Sequence, residues 1–312
     1  MNSMEAALAP PGQARATGQD RARPLPEITA YLAPRSLDEA LQAMADGNAT
    51  VLCGGTDLAP QTEAGMRRYK AKLVNIRRID GLGGIEAEGD EVRIGAVTTV
   101  SDIRRHPALA RIAPVLVEAA GHFASEQIRN AASVGGNICN ASPAGDMIPP
   151  LLVLGASVEL ACWQGGAVQT RRVPLDRFFA GPGKTVKRPE ELLTAIVFGR
   201  PAPDFVARFR KSGPRPALEI STVSVAFGAR VIDGRLGEVR VAMGSVAPTP
   251  LRAPHVEAAL EGKRLDAATV AAAVATIADD AKPIDDVRAS AWYRGHLARV
   301  FLEEVLEDVR GN

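Results

Sequence analysis

The sequence predicts an α+β fold, and three observations carry the prediction. Residues 50–76 hold two short apolar runs with a helix-type segment between them, the pattern of a strand–helix–strand unit. The middle of the chain mixes alternating apolar and polar residues with helical runs. The last third places two strands about Asp233-Gly234 and then turns to helices. With 312 residues and 46% apolar content, the chain supports two or three domains with sizeable cores. The expected division is a tail over residues 1–25, one subdomain over 26–83, a second over 84–200 and a C-terminal sheet-plus-helices domain over 204–309. Pro201, Ala202 and Pro203 supply the linker.

Each element follows from local chemistry. The first 26 residues are rich in Ala, Pro, Gly and Arg, lack the continuous apolar run of a secretory signal and are expected to form a mobile tail. Ser36 is a good N-cap for helix formers that continue to Met44 and stop at Gly47. Thr50, Val51, Leu52 and Cys53 make a compact strand ending on glycines. Residues 72–76 make another, with a helix over 57–64 between them. A turn-rich stretch at 81–84 precedes the alternating strand of residues 91–95. Residues 100–105 and 108–120 read as helices, the second apolar on most faces and therefore buried. Residues 158–162 and 168–173 read as a strand pair joined through Gly165-Gly166, and residues 221–231 and 236–246 as another. Helices are expected over 255–260, 267–278 and 289–309. The apolar run near residues 148–156 is broken by Pro149, Pro150 and Gly155. It falls short of the roughly 20 residues a membrane span requires, so a soluble cytoplasmic protein is expected.

Charge and cysteine usage exclude several classes of function. The 37 Lys and Arg balance 36 Asp and Glu, so no global field draws nucleic acid or an anionic membrane. Cys53, Cys139 and Cys162 lie far apart and form no C-x-x-C pair, which leaves neither a disulfide framework nor an iron–sulfur ligand set. No metal site is expected, and any iron–sulfur cluster must sit on another chain.

Two segments carry chemistry. Gly54 and Gly55, directly after a strand, can present N–H groups to a phosphate without a Cβ in the way, and Thr56 adds a hydroxyl. Asp57 is placed to cap the following helix, whose start suits a pyrophosphate. Alone, a Gly-Gly turn between strand and helix is more often plain structure. From Phe123 to Asp146 the chain is dense in small and hydrogen-bonding residues and reads as poor material for a packed core. Ser133, Asn137, Asn140 and Ser142 are neutral groups able to bond phosphate or polyol oxygens, and Asp146 could accept from hydroxyls. The alternative is a run of turns and Asx caps satisfied by their own backbone.

The motifs V-L-C-G-G-T-D-L and Q-I-R-N-A-A-S-V-G-G-N-I-C-N-A-S-P-A-G-D together resemble the FAD-binding subunits of the xanthine dehydrogenase and carbon monoxide dehydrogenase family. The resemblance continues through Gly181-Pro182-Gly183-Lys184-Thr185, Phe209-Arg210-Lys211 with Ser224-Val225-Ala226, and Tyr293-Arg294-Gly295-His296-Leu297-Ala298. It spans roughly residues 26 to 308. It implies a two-subdomain PCMH-type FAD-binding fold followed by the C-terminal domain. It further implies a molybdenum hydroxylase in which a large subunit holds the molybdenum cofactor and oxidises substrate. A small subunit holds two two-iron two-sulfur clusters, and this chain passes electrons through FAD to NAD⁺ or another acceptor. The family's first FAD loop falls on Val51, Leu52, Cys53, Gly54, Gly55, Thr56, Asp57 and Leu58. The second falls on Ala132, Ser133, Val134, Gly135, Gly136 and Asn137, with Asn140 and Asp146 toward the ribityl and phosphate region. Phe123 falls where the family sets an aromatic ring on the isoalloxazine, and Leu192 and Lys211 fall near the flavin edge.

The four-cysteine insertion of benzoyl-CoA-reducing relatives is missing. No His or Cys occupies an evident covalent attachment position, so the FAD is expected to be dissociable, with His122 an ordinary surface or supporting group. Gly181 to Thr185 lacks the context of a nucleotide-hydrolysing loop and reads as a surface turn beside the flavin. Arg67-Arg68-Tyr69-Lys70 and Arg77-Arg78 read as solvated faces, the alternative being contact with the adenine side or a partner subunit, and Trp292 and Tyr293 read as core or interface residues. Two rival functions are a self-contained flavin oxidase or reductase of the same fold, and an assembly module that has lost FAD. The first would need acid–base residues over the flavin, and none is evident. Intact loop glycines argue against the second.

Overall fold

In the computed structural model of the chain, residues 28–213 and 220–311 are described, and the tail predicted over residues 1–25 lies outside them. The first unit is β1 (Ala30–Leu32), α1 (Leu37–Met44), β2 (Ala49–Leu52), α2 (Leu58–Glu63) and β3 (Lys72–Asn75). Its sheet has the order β1-β3-β2 with parallel pairing throughout. Ser36 caps α1 through a reciprocal box with Glu39, which satisfies main-chain N–H groups that the first turn leaves open. Ala40, Leu41 and Met44 are fully buried on the inner face of α1. The strand β1 gives no clear sequence signal, because three residues are too few to show alternation.

The second unit opens with β4 (Ile85–Glu86) and β5 (Glu91–Gly95). A helical layer follows: α3 (Val100–Arg105), α4 (Pro107–Ile112), α5 (Pro114–His122), α6 (Glu126–Ala131), α7 (Val134–Asn140) and α8 (Ile148–Val153). The single helix predicted over 108–120 is two. Pro114 has no N–H to continue the ladder, and the chain breaks at Ala113 before restarting with the proline in the first turn. After the helices come β6 (Ser157–Gln164), β7 (Ala167–Pro174), the short pair β8 (Phe179–Gly181) and β9 (Lys184–Thr185), and β10 (Leu192–Gly199). The five-stranded sheet is antiparallel with order β4-β5-β10-β6-β7, so β10, last in sequence, inserts between β5 and β6. Every side chain of β10 from Leu192 to Phe198 is buried, the mark of a central strand.

The third unit is a four-stranded antiparallel meander, β11 (Phe205–Ser212), β12 (Val223–Ile232), β13 (Arg235–Gly244) and β14 (Leu251–Arg252). Asp233 and Gly234 both take positive φ in the β12–β13 turn, as a tight hairpin requires. It is covered by α9 (Pro254–Leu260), α10 (Ala267–Ala275), α11 (Ile277–Asp280) and the 20-residue α12 (Ala291–Arg310), which lies on β11 and β12. Trp292 and Tyr293 are not core residues: they are 75% and 42% exposed, and Trp292 stacks on His296 one turn away. They fall in the first turn of α12, on the side away from Ala298, Leu302 and Val305 that fill the core. No helix of the described residues is long and apolar enough to cross a membrane.

Candidate functional site

A cleft with about 1370 Å³ of open space lies between the small parallel sheet and the second unit, and both glycine segments form its walls. The first segment runs from the end of β2 into α2. A Cβ on Gly54 would stand 2.0 Å from the carbonyl oxygen of Ala131, so only glycine lets the two segments meet here. Gly55 takes φ +71°, open to glycine at no steric cost. Among the described residues, the main-chain N–H groups of Gly55, Thr56 and Asp57 donate to nothing. Because α2 has only six residues, its contribution to an anion is these free N–H groups rather than a long dipole. Asp57 stands before α2 but makes no capping hydrogen bond with its side chain, contrary to the capping role predicted for it. Its carboxylate instead accepts from Asn140 Nδ2 at 2.9 Å.

The second segment is helix rather than a run of turns, and it is packed. Ser133 caps α7 by accepting from the Gly136 N–H at 3.1 Å. The N–H groups of Val134 and Gly135 donate to the carbonyls of Thr98 and Ala96, both at 3.0 Å, and Asn137 N–H donates to Ser133 O. A Cβ on Gly135 would lie 2.7 Å from Ala96 O. The small residues that seemed poor core material are therefore what allows α7 to dock on the end of β5, with Val134 and Ile138 fully buried. Since its N–H groups are taken, this segment addresses a ligand through side chains. Asn137 lines the cleft with a buried Oδ1 that has no hydrogen-bond partner among the described residues. Asn140 clamps the walls together, accepting from Gln61 Nε2 at 3.0 Å while donating to Asp57. Ser142 closes a local turn with Ala144 N–H.

Of the predicted positions, Val51, Cys53, Gly54, Gly55, Thr56, Asp57, Leu58, Phe123, Ala132, Ser133, Gly135, Gly136, Asn137, Asn140 and Leu192 meet at this one cleft. Leu52, Val134, Asp146 and Lys211 are not on its wall. Asp146 and Lys211 form a buried ion pair at 2.6 Å, and Lys211 Nζ also donates to the His122 carbonyl at 3.0 Å. The pair thus supports the residue preceding Phe123 from behind. Arg129 Nη1 donates to the carbonyls of Phe123 (2.6 Å) and Ala124 (3.0 Å), and fixes the turn in which Ala124 adopts positive φ. His122 is exposed.

Sequence reasoning ranked the wrong account first for three cations and missed a fourth. Arg67, Arg68 and Lys70, read as a solvated face, line the cleft, as does Lys187. A basic run beside a glycine loop is the signal that points to the first three; Lys187 has none, because it reaches the cleft only through the fold of residues 181–192. Burial pushes the Asp57 carboxyl above its ordinary value while Arg67 opposes the shift. Burial likewise raises the Cys139 thiol and lowers the Lys187 ammonium. Gly181 to Lys184 form the β8–β9 hairpin, off the cleft wall, with Gly183 N–H bonded to Ala141 O. Among the described residues no group of three or more His, Cys, Asp or Glu could hold a metal ion. Free N–H groups, an orphaned buried amide oxygen and neighbouring cations suit a large ligand bearing phosphate and hydrogen-bonding functions, which FAD satisfies.

Residues 26–201 match the family described as the FAD binding domain in molybdopterin dehydrogenase, and residues 208–309 match the CO dehydrogenase flavoprotein C-terminal domain. The chain is 34% identical over 286 residues to the xanthine dehydrogenase FAD-binding subunit of Escherichia coli O157:H7, covering 90% of this chain and 96% of that one. It is 30% identical over 284 residues to the carbon monoxide dehydrogenase medium chain of Hydrogenophaga pseudoflava, covering 90% and 97%. Among solved structures, reconstituted CO dehydrogenase from Oligotropha carboxidovorans superposes with a TM-score of 0.86 at 30% identity, covering 92% of this chain and 99% of that one.

Proposed function

We propose, since this chain belongs to the FAD-binding subunits of the xanthine dehydrogenase and carbon monoxide dehydrogenase family of oxidoreductases, that it is an electron-transfer subunit carrying dissociable FAD. In this reading it takes electrons from two-iron two-sulfur clusters of a small partner subunit and delivers them to NAD⁺ or another acceptor, while a large molybdenum-cofactor subunit oxidises substrate. When bound, FAD supplies the redox chemistry that gathers single electrons and releases them as a pair. The chain's own residues bind and orient it. The N–H groups of Gly55, Thr56 and Asp57 suit a phosphate oxygen, Asn137 Oδ1 suits a hydroxyl donor, and Phe123 and Leu192 supply apolar wall. No side chain is asked to move a proton. Asp57, Asn140 and Gln61 hold the walls at fixed separation, which keeps the site formed before the ligand arrives.

The convergence of both glycine segments on one cleft carries this reading. Purified chain is expected to show flavin absorbance or to acquire it on adding FAD. Gly136 lines the cleft and a Cβ there would stand 2.9 Å from Ser133 Oγ, so Gly136→Trp should shift that cap and abolish FAD retention, with circular dichroism checking that the variant folds. A chain that binds no FAD under any loading condition refutes the proposal. Co-purification with the two other subunits supports the relay role, whereas a free monomer that turns over an organic substrate favours a self-contained flavin enzyme.

A further inference from the structure

Lys187 is a partly buried cation in the cleft wall, and among the described residues no carboxylate forms a salt bridge with it. Its Nζ donates to the main-chain carbonyls of Arg188 at 3.1 Å and Glu191 at 2.9 Å. An ammonium carries three donors, so one remains. The nearest acid is already engaged: the Glu191 carboxylate accepts from Arg171 at 2.6 and 2.9 Å and from the Arg188 N–H at 2.7 Å. The Cys139 thiol, which burial keeps protonated, supplies no charge. Arg67 lies close enough to Asp57 and Cys139 to act on both, yet its guanidinium makes no hydrogen bond or salt bridge among the described residues. Arg68 and Lys70 stand on the same wall, the latter with Nζ on Gly47 O at 2.6 Å. The cleft therefore gathers four basic side chains against one carboxylate, Asp57, in a chain whose net charge is +1. A cation withdrawn from water is costly unless an anion meets it. Here the protein leaves that place to the ligand.

We propose that Lys187 and Arg67, which lie outside both glycine segments, bind the phosphates of the flavin and make the cleft selective for phosphorylated flavin over riboflavin. The inference rests on the FAD reading above and adds to it the residues that recognise the anion. The test is titration of the apo-protein with FAD, FMN and riboflavin, followed by flavin fluorescence at low and raised salt. Lys187→Met and Arg67→Met should each weaken FAD about tenfold or more, flatten its salt dependence and leave riboflavin unchanged, while Lys187→Arg retains wild-type affinity. A larger loss for FAD than for FMN assigns the cations to the second phosphate, and an equal loss to the phosphate the two share; both outcomes support the proposal. Folded Met variants that bind FAD like the wild type, or that lose FAD and riboflavin in equal proportion, overturn it and leave the FAD reading standing. If Lys187→Met does not fold, Arg67→Met decides the matter alone. A wild-type protein that binds none of the three overturns both.

Discussion

Asp57 is the one acid on the cleft wall, and its environment gives it a measurable signature. Burial raises its carboxyl above the ordinary 3.8, with Arg67 opposing. The folded protein therefore holds this proton more tightly than the unfolded chain does. The contribution to stability is fully present below 3.8 and declines as pH rises through the folded value. In unliganded protein, Asp57→Asn removes that titration, so the variant should gain on wild type as pH rises from 3.8 toward neutrality and then hold a constant advantage. Urea unfolding across this range measures it, and a difference that does not change with pH would refute burial as the cause. The same residue marks the limit of what the sequence makes legible. Its place after two glycines is plain in the sequence. Its contact with Asn140, 83 residues away, is a fact of tertiary packing. Gly54 is similar: its local role as a turn former can be read, but its contact with Ala131 cannot, since no local pattern encodes the approach of two distant segments. Lys187 lay wholly beyond local reading, for its neighbours in sequence say nothing of the cleft.

At the level of elements, long periodic segments were the most legible and the small-residue helices the least. The C-terminal helix was foreseen nearly to its ends, because apolar positions recur over 20 residues. What periodicity could not give was the side on which its aromatic pair lies. Leu302 is fully buried in α12, whereas Trp292 is 75% exposed. Leu302→Ala should cost about 2–5 kcal/mol through lost transfer free energy and a residual cavity. Trp292→Ala should stay within about 0.5 kcal/mol, despite deleting the larger side chain. Equilibrium denaturation of both variants tests the assignment, and a Trp292 variant as damaged as the Leu302 one would mean that the helix presents its other face. By contrast, α7 hid among Gly, Ser and Asn, residues usually read as loop, and α6 is too short to show a period. The helicity of α6 is supported by capping by Ser125, and that of α7 by capping by Ser133 and docking against Ala96 and Thr98. Both are tertiary or cap effects that outweigh propensity.

Across the whole molecule, the third unit is tied to the second by neighbouring residues of β11. Arg210 reaches Glu118 on α5 as well as Glu304 and Asp308 on α12, and Lys211 reaches Asp146. With side chains only 2% and 7% exposed, the Lys211–Asp146 pair is the costlier to break. Lys211→Met should destabilise the protein by about 3–5 kcal/mol, because it breaks a buried ion pair by removing the cation. Adding Asp146→Asn should recover part of that loss. A double-mutant cycle in urea checks both claims, and strictly additive effects would show that the pair is not coupled. The insertion of β10 between β5 and β6 has a further consequence, for biosynthesis. The walls of the cleft come from residues near 53, near 135 and near 192, and the strand bearing the last of these completes the central sheet. A ribosome that has released only the first two stretches has made every glycine of the site but none of its closure. On the FAD reading proposed above, cofactor capture waits until β10 emerges, so translation itself sets the earliest moment at which this polypeptide can become a flavoprotein.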